Sequence, residues 1–158
     1  MTPSPEEKNE DVLIAFSAAD TNGTVYTDLT GNFPVTSISG HKYVMVLYHY
    51  DSNGIIFRPM KNRSDIEAMR VYEDMYEYLK ARNCKLKLNI IDNRASTAVK
   101  RYITNANVNY KLVEHNNHRV NTAEHAIRTF KNHFVAGLSS VHPKFPIYLW
   151  VMVLSGAL

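Results

Sequence analysis

The order of strand and helix patterns constrains the fold of this chain more than any other feature of its sequence. Three β-prone segments come first, over about residues 24–29, 42–50 and 54–59, and helix and strand patterns alternate after them. Strands that follow one another through turns pair antiparallel, whereas strands connected through helices pair parallel. The order therefore predicts an α/β domain with a five-stranded mixed sheet, an antiparallel meander then parallel strands, and helices on both faces.

The alternating part of the pattern begins with a helix over about residues 64–82. Ser64 is its predicted N-cap, and Glu67, three residues later, completes a capping box. Apolar residues recur near the helical period in this segment: Ile66, Met69, Tyr76 and Leu79. A fourth strand over about residues 86–92, a helix over about 96–104 and a short fifth strand over about 108–113 follow, and the two strands complete the predicted sheet.

Length and composition indicate one folded domain. The chain has 158 residues, 45% of them hydrophobic, which is enough for a substantial core. Residues 1–22 are predicted to be a poorly ordered polar lead-in, and residues 23–158 to form the domain. The lone cysteine, Cys84, excludes an internal disulfide and a cysteine-rich zinc site, which fits an intracellular protein. The apolar segment 145–158 is too short to span a bilayer, so we expect a truncated core helix and no membrane partner.

Charge is distributed unevenly along the chain. Residues 1–79 hold 6 Lys/Arg and 12 Asp/Glu, whereas residues 80–158 hold 12 Lys/Arg and 3 Asp/Glu. The acids of the basic half are Asp92, Glu114 and Glu124. Clustered positive charge around a few carboxylates favours a polyanionic substrate. A solvated basic face explains the same composition equally well.

Three carboxylates stand where a domain rarely places a charge. Asp28 interrupts the first strand pattern, Asp92 ends the fourth, and Glu124 follows the predicted N-cap Asn121 on the first turn of a helix. If the first and fourth strands pair, Asp28 and Asp92 become neighbours at the centre of the sheet. Two strand acids and one helix acid can then converge on one point, and oxygen ligands of this kind suit Mg²⁺. The sequence thus predicts a metal-dependent nucleic-acid enzyme, or the remains of one.

The helix that carries Glu124 has two distinct faces. Its apolar stripe is Ala126, Ile127, Phe130 and Phe134. Glu124, Arg128 and Lys131 are spaced i, i+4 and i+7, so they share another face. An acid four residues before an arginine is also the pattern of an ordinary surface ion pair. The alternative interpretation is a metal ligand near the start of the helix and two phosphate-binding cations beyond it.

Three segments carry a resemblance to a known family. They are TDLTGNFP at 27–34, IDN at 91–93, and HRVNTAEHAIRTFKNHF at 118–134. Together they resemble the integrase catalytic core of copia-type LTR retrotransposons, a retroviral-type integrase of the ribonuclease-H-like superfamily. The resemblance covers roughly residues 23–150, and its third segment is the most specific. It implies the ribonuclease-H-like fold for the whole domain.

The resemblance also implies functional residues. Asp28, Asp92 and Glu124 correspond to the catalytic metal ligands of the family, which bind two Mg²⁺ ions, with Mn²⁺ as a possible substitute. Asp28 and Asp92 would share one ion, and Asp28 and Glu124 would hold the other. The residues expected to contact nucleic acid are Arg119, Asn121, Arg128 and Lys131.

The implied function is DNA integration, by metal-dependent phosphodiester cleavage and DNA strand transfer at an Asp-Asp-Glu site. Expected partners are the element ends, target DNA and further copies of the chain, and an active enzyme would work in the nucleus. The zinc module and carboxy-terminal tail of the family are absent from this sequence. A catalytically silent nucleic-acid-binding module, or a relic fragment of a retrotransposon polyprotein, is therefore the alternative.

Other candidate residues have simpler interpretations. Four histidines, His115, His118, His125 and His133, match no standard zinc spacing and are expected at the surface or facing DNA. Tyrosines at 72, 76 and 78 could stack on bases, but Tyr76 is expected in the core and Tyr78 partly exposed. Trp150 is most simply a core residue. No neighbouring residue would activate the Cys84 thiol.

Overall fold

A computed structural model describes the backbone of residues 22–113 and 118–156, and the side chains of residues 22–113 and 122–154. The predicted lead-in therefore lies outside the described residues except for Asn22, as do Glu114 and His115. Within the described part of the chain, no helix combines the length and the hydropathy needed to cross a membrane.

A five-stranded sheet forms the centre of the domain. Its strands are β1 Thr24–Leu29, β2 Tyr43–His49, β3 Gly54–Met60, β4 Leu88–Ile91 and β5 Asn109–Leu112. The spatial order is β3-β2-β1-β4-β5, with β1, β2 and β3 antiparallel and with β4 parallel to both β1 and β5. This is the mixed sheet that the order of sequence patterns predicts.

Helices cover both faces of this sheet. They are α1 Asp65–Ala81, α2 Thr97–Asn105, α3 His118–Ser140 and α4 Trp150–Gly156, the last preceded by a short 3₁₀ helix, Ile147–Leu149. Because successive strand residues point to opposite faces, Val25 packs in the core with α1 and α2, whereas Tyr26 packs in the core with α3 and α4. Trp150 is 1% exposed in that second core, as predicted. The same alternation places Asp28 on the face that α3 covers.

The start of α1 is as predicted only in part. Ser64 caps the helix by accepting a hydrogen bond from the Glu67 backbone N–H at 3.3 Å. The Glu67 carboxylate does not complete the capping box, because it accepts instead from the Lys61 backbone N–H and from the Arg70 guanidinium. The N–H of Ser64 is satisfied locally by Asn62 Oδ1 at 2.9 Å.

The predicted apolar stripe of α1 is wrong at its first position. Ile66 is 79% exposed, because it falls outside the helical spacing of the residues that face the sheet. The buried residues are Ala68, Val71, Tyr72, Met75, Tyr76 and Leu79. Tyr76 is therefore a core residue as expected, and Tyr72 joins it.

Glu67→Gln should lower the free energy of unfolding by about 1 kcal/mol at pH 7, an estimate kept small because its partner Arg70 is largely exposed. Hydrogen bonding from Arg70, and to a lesser degree from the Lys61 N–H, lowers the pKa of Glu67 from 4.5 to about 2. The ionised carboxylate thus stabilises the fold above pH 4.5, and this contribution is lost as the pH falls toward 2.

Urea denaturation of the wild type and Glu67→Gln, followed from pH 7 down to about pH 3, measures this effect. The stability difference should shrink across the acidic limb. Glu73→Gln, which changes an exposed acid of the same helix, should lie within about 0.5 kcal/mol of wild type. A Glu67→Gln difference that stays constant with pH would show that the carboxylate charge is irrelevant.

Candidate active site

Strand pairing brings two of the predicted site residues together. β1 and β4 are parallel, with Tyr26 in register with Ile90. Asp28 lies two residues beyond Tyr26, and Asp92 lies two residues beyond Ile90. The two carboxylates therefore leave adjacent strands at the centre of the sheet, near the carboxyl ends of those strands. This is where open α/β sheets commonly place ligand sites.

The third carboxylate reaches the same place from α3. Glu124 lies in the second turn of this helix and not in its first, because the helix begins at His118. The predicted N-cap Asn121 is for the same reason a residue within the helix. No proline or glycine interrupts residues 118–124, so nothing in the backbone prevents the additional turn.

The three acids share one pocket with three cations. The pocket has a volume of about 410 Å³. Its charged lining residues are Asp28, Asp92, Glu124, Arg94, Arg128 and Lys131. The carboxylates come from β1, from the end of β4 and from α3, so only the folded chain brings them together. Such a pocket can attract both a divalent cation and the phosphates of a polyanion.

The pocket has the donor chemistry of a magnesium site, but its carboxylates do not converge on a common point. Among the described side chains, no three His, Cys, Asp or Glu residues are grouped so that they could hold a metal ion. Lys131 bonds one of the three carboxylates instead, and its Nζ donates to Asp28 Oδ2 at 2.9 Å. The Asp92 carboxylate accepts the backbone N–H of Arg94 at 2.8 Å. The oxygen-only ligand set fits Mg²⁺, although Lys131 is hydrogen-bonded to one of its members, Asp28.

Tyr26 is a site residue that the sequence analysis missed. It lines the pocket and is 5% exposed. Burial raises the pKa of the Tyr26 hydroxyl, and the negative charges of Asp28, Glu124 and Asp92 raise this pKa further. The hydroxyl therefore stays protonated and can donate a hydrogen bond into the pocket. A usable signal existed, since Tyr26 precedes Asp28 by two residues in a strand and so shares its face.

A buried polar network supports the site from the other face of the sheet. Thr27 Oγ1 donates to Asn89 Oδ1 at 3.1 Å and bonds the Tyr72 hydroxyl at 2.8 Å. Asn89 Nδ2 donates to the Tyr76 hydroxyl at 2.7 Å. These bonds join β1, β4 and α1 directly beside Asp28. They also place Tyr72 and Tyr76 in the interior, where neither can stack on a base.

The four residues predicted to contact nucleic acid lie in different surroundings. Arg128 is exposed at the pocket, and the described contacts include no ion pair between it and Glu124, so the surface-pair interpretation is not supported. Lys131 is engaged by Asp28. Arg119 and Asn121 lie on the first turn of α3 with side chains outside the described residues. Arg94 is a further cation that lines the pocket.

Tyr78, His125 and His133 are not among the residues that line this pocket. Tyr78 is partly exposed, as predicted, and the Arg82 guanidinium lies 3.4 Å from its ring centroid, which covers that face of the ring. His125 and His133 are exposed, as predicted. The side chain of His118 lies outside the described residues.

The order of the strands and the placement of the helices define the class of fold. A five-stranded mixed sheet with helices on both faces matches the ribonuclease-H-like fold of integrase catalytic cores. The chain is similar to the catalytic core domain of BIV integrase, with a TM-score of 0.57 and 10% identity over 83% of this chain and 79% of that chain.

A second similar structure comes from a larger assembly. It is a chain of the simian T-cell lymphotropic virus intasome in complex with PP2A regulatory subunit B56 gamma, with a TM-score of 0.59 and 16% identity. The match covers 82% of this chain and 47% of that chain, so the present chain spans about half its length. No protein-family model and no curated protein matches. At these identities the similarity establishes the fold, and function has to be argued from the site.

Proposed function

We propose that this chain is the catalytic core of a DNA-integrating enzyme of the copia type, which cuts phosphodiester bonds and transfers DNA strands. The observation that supports this function best is the single pocket lined by Asp28, Asp92 and Glu124. These acids come from three separate segments of the chain, and no packing requirement explains why three carboxylates should share one partly open cavity.

The carboxylates would hold two Mg²⁺ ions, Asp28 and Asp92 sharing one, and Asp28 and Glu124 holding the other. When bound, such a pair activates an attacking oxygen and stabilises a departing one. Arg94 and Arg128 lie at the same pocket and can hold the phosphates on either side of the reacting bond. Tyr26, protonated across the working pH range, can donate to a phosphate oxygen.

The groups at the pocket are compatible with the proposed reaction class. Phosphodiester exchange needs an oxygen nucleophile in line with the leaving oxygen, and no protein nucleophile is required. The attacking group would be water in end-trimming and a DNA 3′-hydroxyl in strand joining. DNA ends, target DNA and further copies of the chain would be the partners, and the nucleus would be the place of action.

A catalytically silent nucleic-acid-binding module or relic is the second candidate. Two observations favour it: the described acids do not group closely enough to hold a metal ion, and Asp28 is already paired with Lys131. A silent module need not be stabilised by Mg²⁺ or Mn²⁺, whereas a working site gains stability with metal concentration. Thermal unfolding with increasing Mn²⁺ therefore separates the two candidates.

Strand joining on labelled duplex DNA tests the proposed function directly. A branched duplex that mimics the joined product should be included, since its resolution is the reverse of joining. Wild type and Glu73→Gln should form product with Mg²⁺ or Mn²⁺ and none with EDTA. Glu124→Gln should be at least about 10²-fold slower. Absence of product with either metal on both substrates would refute the enzyme proposal.

A further inference from the structure

The ion pair between Lys131 and Asp28 is the contact in the pocket that the expected roles of these residues leave unexplained. Lys131 Nζ lies 2.9 Å from Asp28 Oδ2, and the two side chains are 31% and 32% exposed. The residues are 103 positions apart and join α3 to the central strand. Both line the pocket that also contains Asp92 and Glu124. The carboxylate expected to serve both metal ions is thus the one that the lysine engages.

We propose that Lys131 is a built-in counter-cation of the metal site, which a divalent ion displaces and which then becomes a phosphate contact. This inference rests on the proposed function and concerns the order and coupling of its binding steps. Metal and DNA would bind with positive cooperativity, because the arrival of one frees the group that receives the other.

Electrostatics explains why a lysine occupies this position. Three carboxylates in one partly buried pocket repel one another, and a single ammonium bonded to Asp28 reduces that repulsion. A divalent ion supplies two positive charges to the same oxygens, so it competes for the lone pairs that Nζ now uses. The ammonium group is a compact charge on a flexible four-carbon stem, which allows it to move without rearrangement of α3.

The ammonium group released from Asp28 can contact a phosphate bound at the same pocket. Arg128 lies on the same helix three residues earlier, and Arg94, just beyond β4, also lines the pocket. A phosphate held by these two arginines would accept a third cation at this place. The coupling is reciprocal, so DNA that engages Lys131 must favour metal binding by the same factor.

Calorimetric titration with Mn²⁺ alone tests the first half of the proposal. Lys131→Met, which keeps the apolar stem but removes the charge, should bind Mn²⁺ about fivefold or more tightly than the wild type in the absence of DNA. Lys131→Arg retains the competing cation and should stay close to wild type. Lys144→Met, which removes an exposed lysine outside the pocket, is the matched control and should leave the affinity unchanged.

The salt dependence of DNA binding tests the second half. Saturating Mn²⁺ should steepen the slope of log K against log salt by about 0.9 more in the wild type than in Lys131→Met, the contribution of one additional phosphate contact. Fluorescence anisotropy of a labelled duplex gives this slope. An equal change in both proteins would overturn the proposed transfer of Lys131 to phosphate.

The proposal and the proposed function fail in different ways. If strand joining is intact but Lys131→Met binds Mn²⁺ no more tightly than wild type, the counter-cation role is wrong and the enzyme assignment stands. If neither protein binds Mn²⁺, the metal site and this inference are both refuted. Should Lys131→Met not fold, Lys131→Gln replaces it in the same comparison.

Discussion

Asp28→Asn should abolish metal-dependent strand joining while DNA binding is retained. The expected loss is on the order of 10³-fold or more, because several kcal/mol of charge stabilisation depend on the ligand that serves both ions. Asparagine has nearly the same shape as aspartate and can still accept the Lys131 hydrogen bond, so the fold should be preserved. Only one negative charge of the pocket lining is removed.

Retention of DNA binding is the more discriminating part of this expectation. Removal of a carboxylate from a pocket that also contains three cations makes the local potential more positive. Duplex affinity without metal should therefore equal or exceed that of the wild type. Strand joining is measured on labelled DNA with Mg²⁺ or Mn²⁺, and affinity is measured by anisotropy at fixed salt.

The matched control is Asp65→Asn, which makes the same substitution at an exposed position at the start of α1. It should behave as wild type in both measurements. Unchanged joining by Asp28→Asn would refute the assignment of this residue. Joint loss of joining and DNA affinity would indicate a defect of folding and not of metal binding, which circular dichroism and urea denaturation would reveal.

The sheet could be predicted from the sequence because each of its strands is indicated by a local pattern of residues. Each strand and most helix positions follow from periodicity, and connection lengths then decide which neighbours are parallel. The adjacency of Asp28 and Asp92 required one further assumption, the pairing of β1 with β4, and that pairing is present. The start of α3 was misplaced because a good capping residue, Asn121, does not oblige a helix to begin there.

The contacts within the pocket could not be predicted in the same way. The bond between Lys131 and Asp28 joins residues 103 positions apart, and its formation depends on how α3 packs on β1. The helical spacing of Glu124, Arg128 and Lys131 indicated a shared face but not which partner each side chain takes. Tyr26 differs, because its place beside Asp28 follows from strand alternation alone.

Asn89→Ala should be among the most destabilising single substitutions in this domain, by about 3 kcal/mol in the free energy of unfolding. Asn89 is 0% exposed, and its side chain bonds both the Thr27 and the Tyr76 hydroxyls. Alanine leaves those hydroxyls without this partner and leaves a cavity between β4 and α1. Tyr76 is itself 2% exposed, so water cannot readily replace the donor that its hydroxyl loses. Urea denaturation at pH 7 measures the effect.

Asn109→Ala provides the matched control for this substitution. Asn109 lies on the neighbouring strand β5, in register with Leu88, and its side chain is exposed, so its replacement should cost at most about 0.5 kcal/mol. The double variant Asn89→Leu/Tyr76→Phe, which removes both members of one hydrogen bond, should be less destabilised than the sum of its single variants. Strict additivity, or an Asn89→Ala protein as stable as Asn109→Ala, would show that the network does not hold β4 to α1. Asp28 and Asp92 would then depend on backbone strand pairing and apolar packing for their positions.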